Sequence, residues 1–397
     1  MKEKKSHINA IGIALSYVPK YSETFFKNKI SGLQKSNYRV ILFVDYKCLN
    51  DYNHKCEVVY APKRYQNTIK TILSGFSTLV KAFLFNPKKA ISLYYLDKQD
   101  GISFANRIKN IILNQFYFTK KIDWLHFGFG MNAIKRENVA SAIGAKMAVS
   151  FRGSDLYITP LKHNNCYDLL FTKAIKYHVL SEEMKQTLIG YQVDKKYIQV
   201  ITPAINIDFF KSSSAFKPDE NLRLTTVARL HWKKGLEYTL EALSILKQQG
   251  IDFKFTIIGE GEERERLIFA AHQLGVINNV AFKGQLNHDE VKAHLQHTDI
   301  YLQYSIQEGF CNAVLEAQAM GLLCIVSNAE GLPENVINNQ TGWVINKRNP
   351  MALAKKIMDV YHLPLVEKEA IRKNAIQRVN QKFNLEKQNR EFVEFYK

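Results

Sequence analysis

The chain has 397 residues, 46% hydrophobic and 23% charged, a globular composition that excludes a disordered, collagenous or disulfide-stapled chain and points to two or three domains. Its 55 Lys and Arg against 37 Asp and Glu leave a net charge of +18; residues 1–210 hold 31 basic and 15 acidic side chains, and residues 211–397 hold 24 and 22. That imbalance predicts different partners for the two halves.

Taken in chain order, short apolar runs predict strands at 8–15, 39–44, 56–60, 123–127, 146–151, 176–180 and 197–201. Helical periodicity fills the gaps at 22–36, 66–85, 102–118, 132–143 and 181–190. Pro203, the Lys211–Ser214 run and Pro218 then read as a linker. A second alternation follows, with strands at 222–228, 253–258, 279–283, 299–304 and 322–327. Its helices fall at 235–249, 262–273, 288–296, 312–320 and 351–361, and the tail 365–397 reads helical and polar. Apolar strands alternating with helices are the mark of a parallel α/β sheet, so the chain is expected to form two successive doubly wound halves. Lys2, Lys4 and Lys5 before Ile8–Val18 mimic a signal peptide, but Ser16 and Tyr17 break the run and no small-residue cleavage site follows. No stretch approaches 18 apolar residues, so no membrane-spanning helix is expected. Cys48, Cys56, Cys166, Cys311 and Cys324 show no metal-ligand spacing and suit reduced thiols in a cytoplasmic, soluble or peripheral protein.

Open parallel sheets bind ligands beyond the carboxyl ends of their strands, so the loops there are the places to look. Glu308-Gly309-Phe310-Cys311-Asn312 leads into a helix that carries Glu316 and is closed by Gly321. Asn312 suits the cap of that helix, and its first amides suit an anion. Glu308 and Glu316 can grip sugar hydroxyls; Glu316 can equally be a solvated helix residue. Arg229 and Lys234 flank a helix start after the strand at 222–228 and offer two charges to a diphosphate, or form a basic loop on a basic protein. Gly259-Glu260-Gly261 and Gly284 sit at strand ends where a ligand can approach the backbone, or are ordinary turns. In the first half, His126 follows a strand ending at Leu125, and Arg152 and Asp155 follow another; the last two can also be a buried ion pair. Ser22, Glu23 and Thr24 follow the first strand, where Ser22 can simply cap a helix. No Asp-x-Asp for a sugar-diphosphate-bound metal appears.

Together these segments resemble the retaining GT-B glycosyltransferases of family 4 (glycosyl transferases group 1), most densely from Leu224 to Val344. Arg229 to Gly235 resembles the family's diphosphate pair, Gly259-Glu260-Gly261 its base-side loop, and Glu308 to Glu316 its E-x7-E motif. Gly331-Leu332-Pro333-Glu334 and the turn Thr341-Gly342-Trp343-Val344 continue the likeness. Ser22-Glu23-Thr24-Phe25 and His126-Phe127-Gly128 are similar to a subset linked to bacterial exopolysaccharide and capsule assembly. Two positions depart from the pattern: Arg152 stands where many members carry His, and Cys311 where Gly is common.

The resemblance implies two Rossmann-like domains facing a central cleft, an acceptor domain at 1–205 and a nucleotide-sugar domain at 206–379. A terminal helix at about 380–397 would pack back on the first domain. It implies metal-independent transfer from a UDP- or GDP-sugar to a glycan or polyprenyl-diphosphate-linked acceptor, without a cofactor. Arg229, Lys234, Glu308, His126 and Arg152 would serve catalysis. Gly259, Glu260, Gly284, Phe310, Cys311, Asn312 and Glu316 would complete the donor site, and Ser22, Glu23, Thr24 and Asp155 the acceptor side. The basic first half and the segment Thr68–Phe85, with Lys70 and Lys81 among apolar residues, suit an anionic inner membrane surface as well as a core helix. Rival readings are a nucleic-acid-binding protein, a phosphorylase or hydrolysing epimerase on the same scaffold, and an inactive relative.

Overall fold

The computed structural model describes residues 9–19, 24–47, 56–63, 65–173, 175–211 and 222–397. The chain divides into two compact units: Met1–Leu180 with Lys185–Ile201 and Asn389–Lys397, and Ser181–Met184 with Thr202–Gln388.

The first unit is built on β1 (Ala10–Leu15), β2 (Arg39–Val44), β3 (Glu57–Tyr60), β4 (Trp124–Phe127), β5 (Lys146–Ser150), β6 (Lys176–Val179) and β7 (Ile198–Val200). All pairs are parallel in the order β3-β2-β1-β4-β5-β6-β7. Helices cover the sheet, so its central strands are buried on both faces; β1 reads as an unbroken apolar run, and β4 is interrupted by His126. Phe392, Phe395 and Tyr396 from the far end of the chain complete this core against Ile11, Leu42 and Trp124.

The second unit carries β8 (Leu222–Val227), β9 (Phe253–Ile258), β10 (Val280–Phe282), β11 (Ile300–Gln303), β12 (Leu323–Ser327) and β13 (Trp343–Ile345), again all parallel, in the order β10-β9-β8-β11-β12-β13. The strand order reverses between β8 and β11, whose pairing matches Ile300 to Leu224. The loops after these two strands are therefore the ones a ligand meets.

Four expectations need correction. The helix expected at 132–143 is two single turns, Gly130–Ala133 and Val139–Ala142, because Ile134 is extended and Lys135 is left-handed at φ 63°. Thr341–Val344 is more than a turn, since Trp343–Ile345 adds an edge strand. His126 lies inside β4 rather than after it. Finally, one helix among the described residues, Thr68–Phe85, is long and apolar enough to cross a membrane by length and composition, although Lys70 and Lys81 interrupt its apolar run.

Candidate active site

Eight residues join β8 to the next helix, Leu236–Gln248. Gly235 ends that loop in the left-handed region at φ 60°, and a Cβ there would sit 2.3 Å from the Tyr304 carbonyl oxygen. Only glycine lets this loop press against the one after β11, and Ile306 N–H donates to the Lys233 carbonyl at 2.7 Å across the same seam. That contact brings Lys234 to Glu308, and the two form an ion pair. Burial opposes the charge on Lys234, but the Glu308 carboxylate outweighs it and the pKa is raised. The side chain of Arg229 is exposed and makes no hydrogen bond or ion pair among the described residues. Its charge is felt at Lys234, so of the two cations expected to meet a diphosphate one is engaged and the other is not.

Glu308 is held from three sides. Its N–H donates to Glu330 Oε2 at 3.0 Å, its carbonyl accepts from Gly331 N at 2.9 Å, and Ser305 Oγ donates to Oε2 at 3.4 Å. Glu330 is in turn paired with Lys347 at 2.9 Å. Behind Ser305 runs a buried relay: Tyr301 OH donates to Gln303 Oε1 at 3.0 Å, and Gln303 Nε2 donates to Ser305 Oγ at 2.9 Å. Gly331 permits the arrangement, since a Cβ there would meet the Gly309 carbonyl oxygen at 1.9 Å.

The helix Asn312–Ala319 is capped by Cys311, not by Asn312, which is its first helical residue. The Cys311 backbone is not offered to a ligand either. Its N–H donates to Asn335 Oδ1 at 3.0 Å, and its carbonyl accepts from Asn335 Nδ2 at 3.0 Å. Its thiol is buried, which pushes its pKa up to about 12. Of the three consecutive residues expected at the donor site, that leaves the amides of Phe310 and Asn312. One turn into the helix, the Glu316 side chain makes no hydrogen bond or ion pair among the described residues, and burial raises its pKa to about 7.

The glycines after β9 and β10 serve the chain before any ligand. A Cβ on Gly259, at φ 139°, would lie 1.9 Å from the Ala228 carbonyl oxygen, and Gly259 N–H donates to Gly284 O at 2.8 Å. Gly284 is left-handed at φ 71°, beside the Glu260 carboxylate. Glu260 itself is exposed, 3.7 Å from Arg264 Nε.

The first-unit assignments fare differently. His126 is fully buried, its Nδ1 2.6 Å from Tyr396 OH and its Nε2 2.7 Å from Ser150 Oγ, so it sits in the core and cannot touch a sugar. The chain runs on from Ser150 to His178 Nδ1 at 2.7 Å and from His178 Nε2 to the Ile201 carbonyl at 3.0 Å. Burial first, and Lys29 second, hold the His126 pKa well below its usual value. Asp155 is also buried, and its carboxylate accepts from the Arg152 and Met131 amides at 2.9 and 3.3 Å; it fixes a turn rather than facing an acceptor. The Arg152 guanidinium lies over the Phe25 ring at 3.7 Å, with Phe26 and Phe129 beyond. Thr24 opens the helix Thr24–Lys35, while Ser22 and Glu23 lie outside the described residues.

The structure thus gathers Arg229, Lys234, Glu308 and the start of the Glu316 helix within the second unit, and takes His126 and Asp155 into the core of the first. Tyr301, Gln303, Ser305, Glu330 and Asn335 were not anticipated. The only sequence signal for Asn335 was its place directly after Gly331-Leu332-Pro333-Glu334.

Two parallel doubly wound units with this loop constellation define the GT-B fold. Residues 207–378, which lie in the second unit, match the family model described as glycosyl transferases group 1, and the chain is a glycosyltransferase. It is 26% identical to WcaL of Escherichia coli, named as a colanic acid biosynthesis glycosyltransferase, over 96% of this chain and 98% of that protein. Among solved structures it is similar to a glycosyltransferase from Rickettsia africae (TM-score 0.72, 21% identity, 98% of both chains). It is also similar to Anabaena HepE in complex with UDP (TM-score 0.71, 15% identity, 97% of this chain and 98% of that one).

Proposed function

We propose that the protein transfers a sugar, with retention of anomeric configuration, from a UDP- or GDP-sugar to a glycan or lipid-linked acceptor during surface polysaccharide assembly. The observation that carries this reading is the second-unit constellation: the Lys234–Glu308 pair beside the unengaged Arg229, and the unpartnered Glu316 on the adjoining helix. The diphosphate of such a donor carries about two negative charges and gains one more as the sugar leaves, and Arg229 and Lys234 meet that charge without a metal. Lys234 then shares its charge between the phosphate and Glu308, which is freed to accept from a donor-sugar hydroxyl. Glu316 accepts from the ribose hydroxyls. Charge grows on the leaving phosphate as the glycosidic bond loosens, and a phosphate oxygen takes the acceptor proton on the same face. WcaL, named for colanic acid biosynthesis, supports the polysaccharide role, and HepE, solved with UDP, supports the donor class.

A donor screen with product configuration read by NMR tests this. Wild type should give the retained anomer and keep its rate in chelator. Lys234→Ala and Glu316→Ala should each lose roughly a hundredfold or more in kcat/KM. An inverted product, full activity in both variants, or strict manganese dependence would refute it.

A further inference from the structure

The helix Thr68–Phe85 presents three different faces. Thr78 and Ala82 are buried against the rest of the first unit, and Gly75 lies beside Ile112. On the opposite side, Ile69, Ile72, Leu73, Phe76 and Leu84 are each more than three-fifths exposed. At 3.6 residues per turn they form one continuous arc, where a surface helix of a water-soluble protein carries polar side chains. Between these two faces lies a third stripe, Lys70, Ser74, Ser77 and Lys81. With Lys63 from the segment after β3, it lines a shallow groove of about 780 Å³.

Charge identifies the occupant. From Val58 to Leu96 the sequence holds six basic residues and no acidic one. A row of ammonium groups beside an exposed apolar arc matches a phosphate headgroup above an acyl chain: the lysines act as point charges while their stems lie on apolar surface. Because Thr78 and Ala82 face the protein, the helix has its apolar arc on one side only and suits lying in the interface rather than spanning it.

We propose that this groove takes the phosphate headgroup of an anionic membrane lipid while the Ile69–Leu84 arc lies at the acyl boundary. The proposal does not rest on the transferase reading, because vesicle binding and sugar transfer to a soluble acceptor are separate measurements. Each well-placed lysine near an anionic surface is worth about 1 kcal/mol, so neutralising three should weaken binding roughly a hundredfold.

The test is co-sedimentation of the full chain with vesicles of phosphatidylcholine alone or with one third phosphatidylglycerol. Wild type should bind the anionic vesicles at least roughly tenfold more tightly, and less so in high salt. The triple variant Lys63→Gln, Lys70→Gln, Lys81→Gln should lose that preference. Ile72→Ser with Phe76→Ser should lose binding to both vesicle types. All five sites are exposed, so circular dichroism should show unchanged folding. Four results would overturn the proposal: equal binding to neutral and anionic vesicles, no binding, complete displacement by inorganic phosphate (a free-phosphate site), or self-association that the Ile72/Phe76 variant abolishes while vesicle binding persists.

Discussion

Glu316 is a carboxyl raised to about 7 by burial, with no partner among the described residues. In the unfolded chain it ionises near the ordinary glutamate value, so between about pH 4.5 and pH 7 the folded state keeps a proton that the unfolded state has released. Stability contributed at this site therefore falls as pH rises through that window and stays low above it. Donor binding runs the other way, because the ionised carboxylate is the better acceptor for ribose hydroxyls. Glu316→Gln should raise the melting temperature by a few degrees at about pH 8 and hardly at all at about pH 5, while weakening donor binding at both. Wild-type donor affinity should rise as pH climbs through about 7, a dependence that Glu316→Gln abolishes. Scanning fluorimetry and calorimetric titration at the two pH values check both effects. A variant that melts lower at both would show that the carboxylate is bonded in the native state, against the geometry.

At the scale of elements, the loop after β11 and the helix behind it act as one piece because Asn335 clips both backbone groups of Cys311. Asn335 is fully buried, so Asn335→Ala leaves a donor and an acceptor unsatisfied, at a cost of about 2–4 kcal/mol. The expected result is a clear drop in denaturant midpoint together with a rise in donor KM, as the loop carrying Glu308 loosens. An unchanged midpoint would mean the loop is held elsewhere. Much of this region was legible in advance. The runs that became β8, β9 and β12 end within a residue of their predicted bounds: β12 is a fully buried, mostly apolar run, and β8 and β9, though broken by Arg223 and Lys254, keep enough apolar and β-branched residues to read as strands. Arg229, Lys234 and Glu308 were legible because they stand in the loops after β8 and β11, and Glu316 because it lies in the helix that follows. What escaped was set by partners distant in sequence. Asn335 and Gln303 are single polar residues with no periodicity, and their meaning comes from Cys311 and Ser305 in the fold. His126 looked like a loop residue because a polar side chain seemed to end an apolar run; four buried groups, Lys29, Ser150, His178 and Tyr396, supply the polar company that lets it stay inside the strand. The left-handed Lys135 broke a helix that periodicity alone extended.

Over the whole molecule, the chain leaves the first unit at Ile201, builds the second, and gives its last residues, Asn389–Lys397, back to the first. These residues supply core rather than decoration. Trp124 Nε1 donates to the Tyr396 carbonyl at 2.9 Å, Lys176 Nζ to the Phe395 carbonyl at 2.8 Å, and Tyr396 OH bonds His126. Lys29, itself buried, rests over the Phe392 ring at 4.3 Å. Removing one buried aromatic side chain costs about 3–5 kcal/mol, and removing three exceeds much of the roughly 5–15 kcal/mol that holds a domain folded. It would also strand Lys29 and His126, whose pKa values burial already pulls far down, in a cavity open to water. Truncation after Gln388 should therefore unfold the first unit and spare the second. Limited proteolysis should digest everything before about residue 200 and leave a resistant fragment beginning near Thr202. The milder Tyr396→Phe deletes only the hydroxyl and should lower first-unit stability by about 1–2 kcal/mol without unfolding it. A truncated chain that resists protease along its full length would show that the first sheet holds together without its terminal helix. The first unit would then fold as it leaves the ribosome, whereas the contacts described here make it wait for its own last residues, Asn389–Lys397, which follow the second.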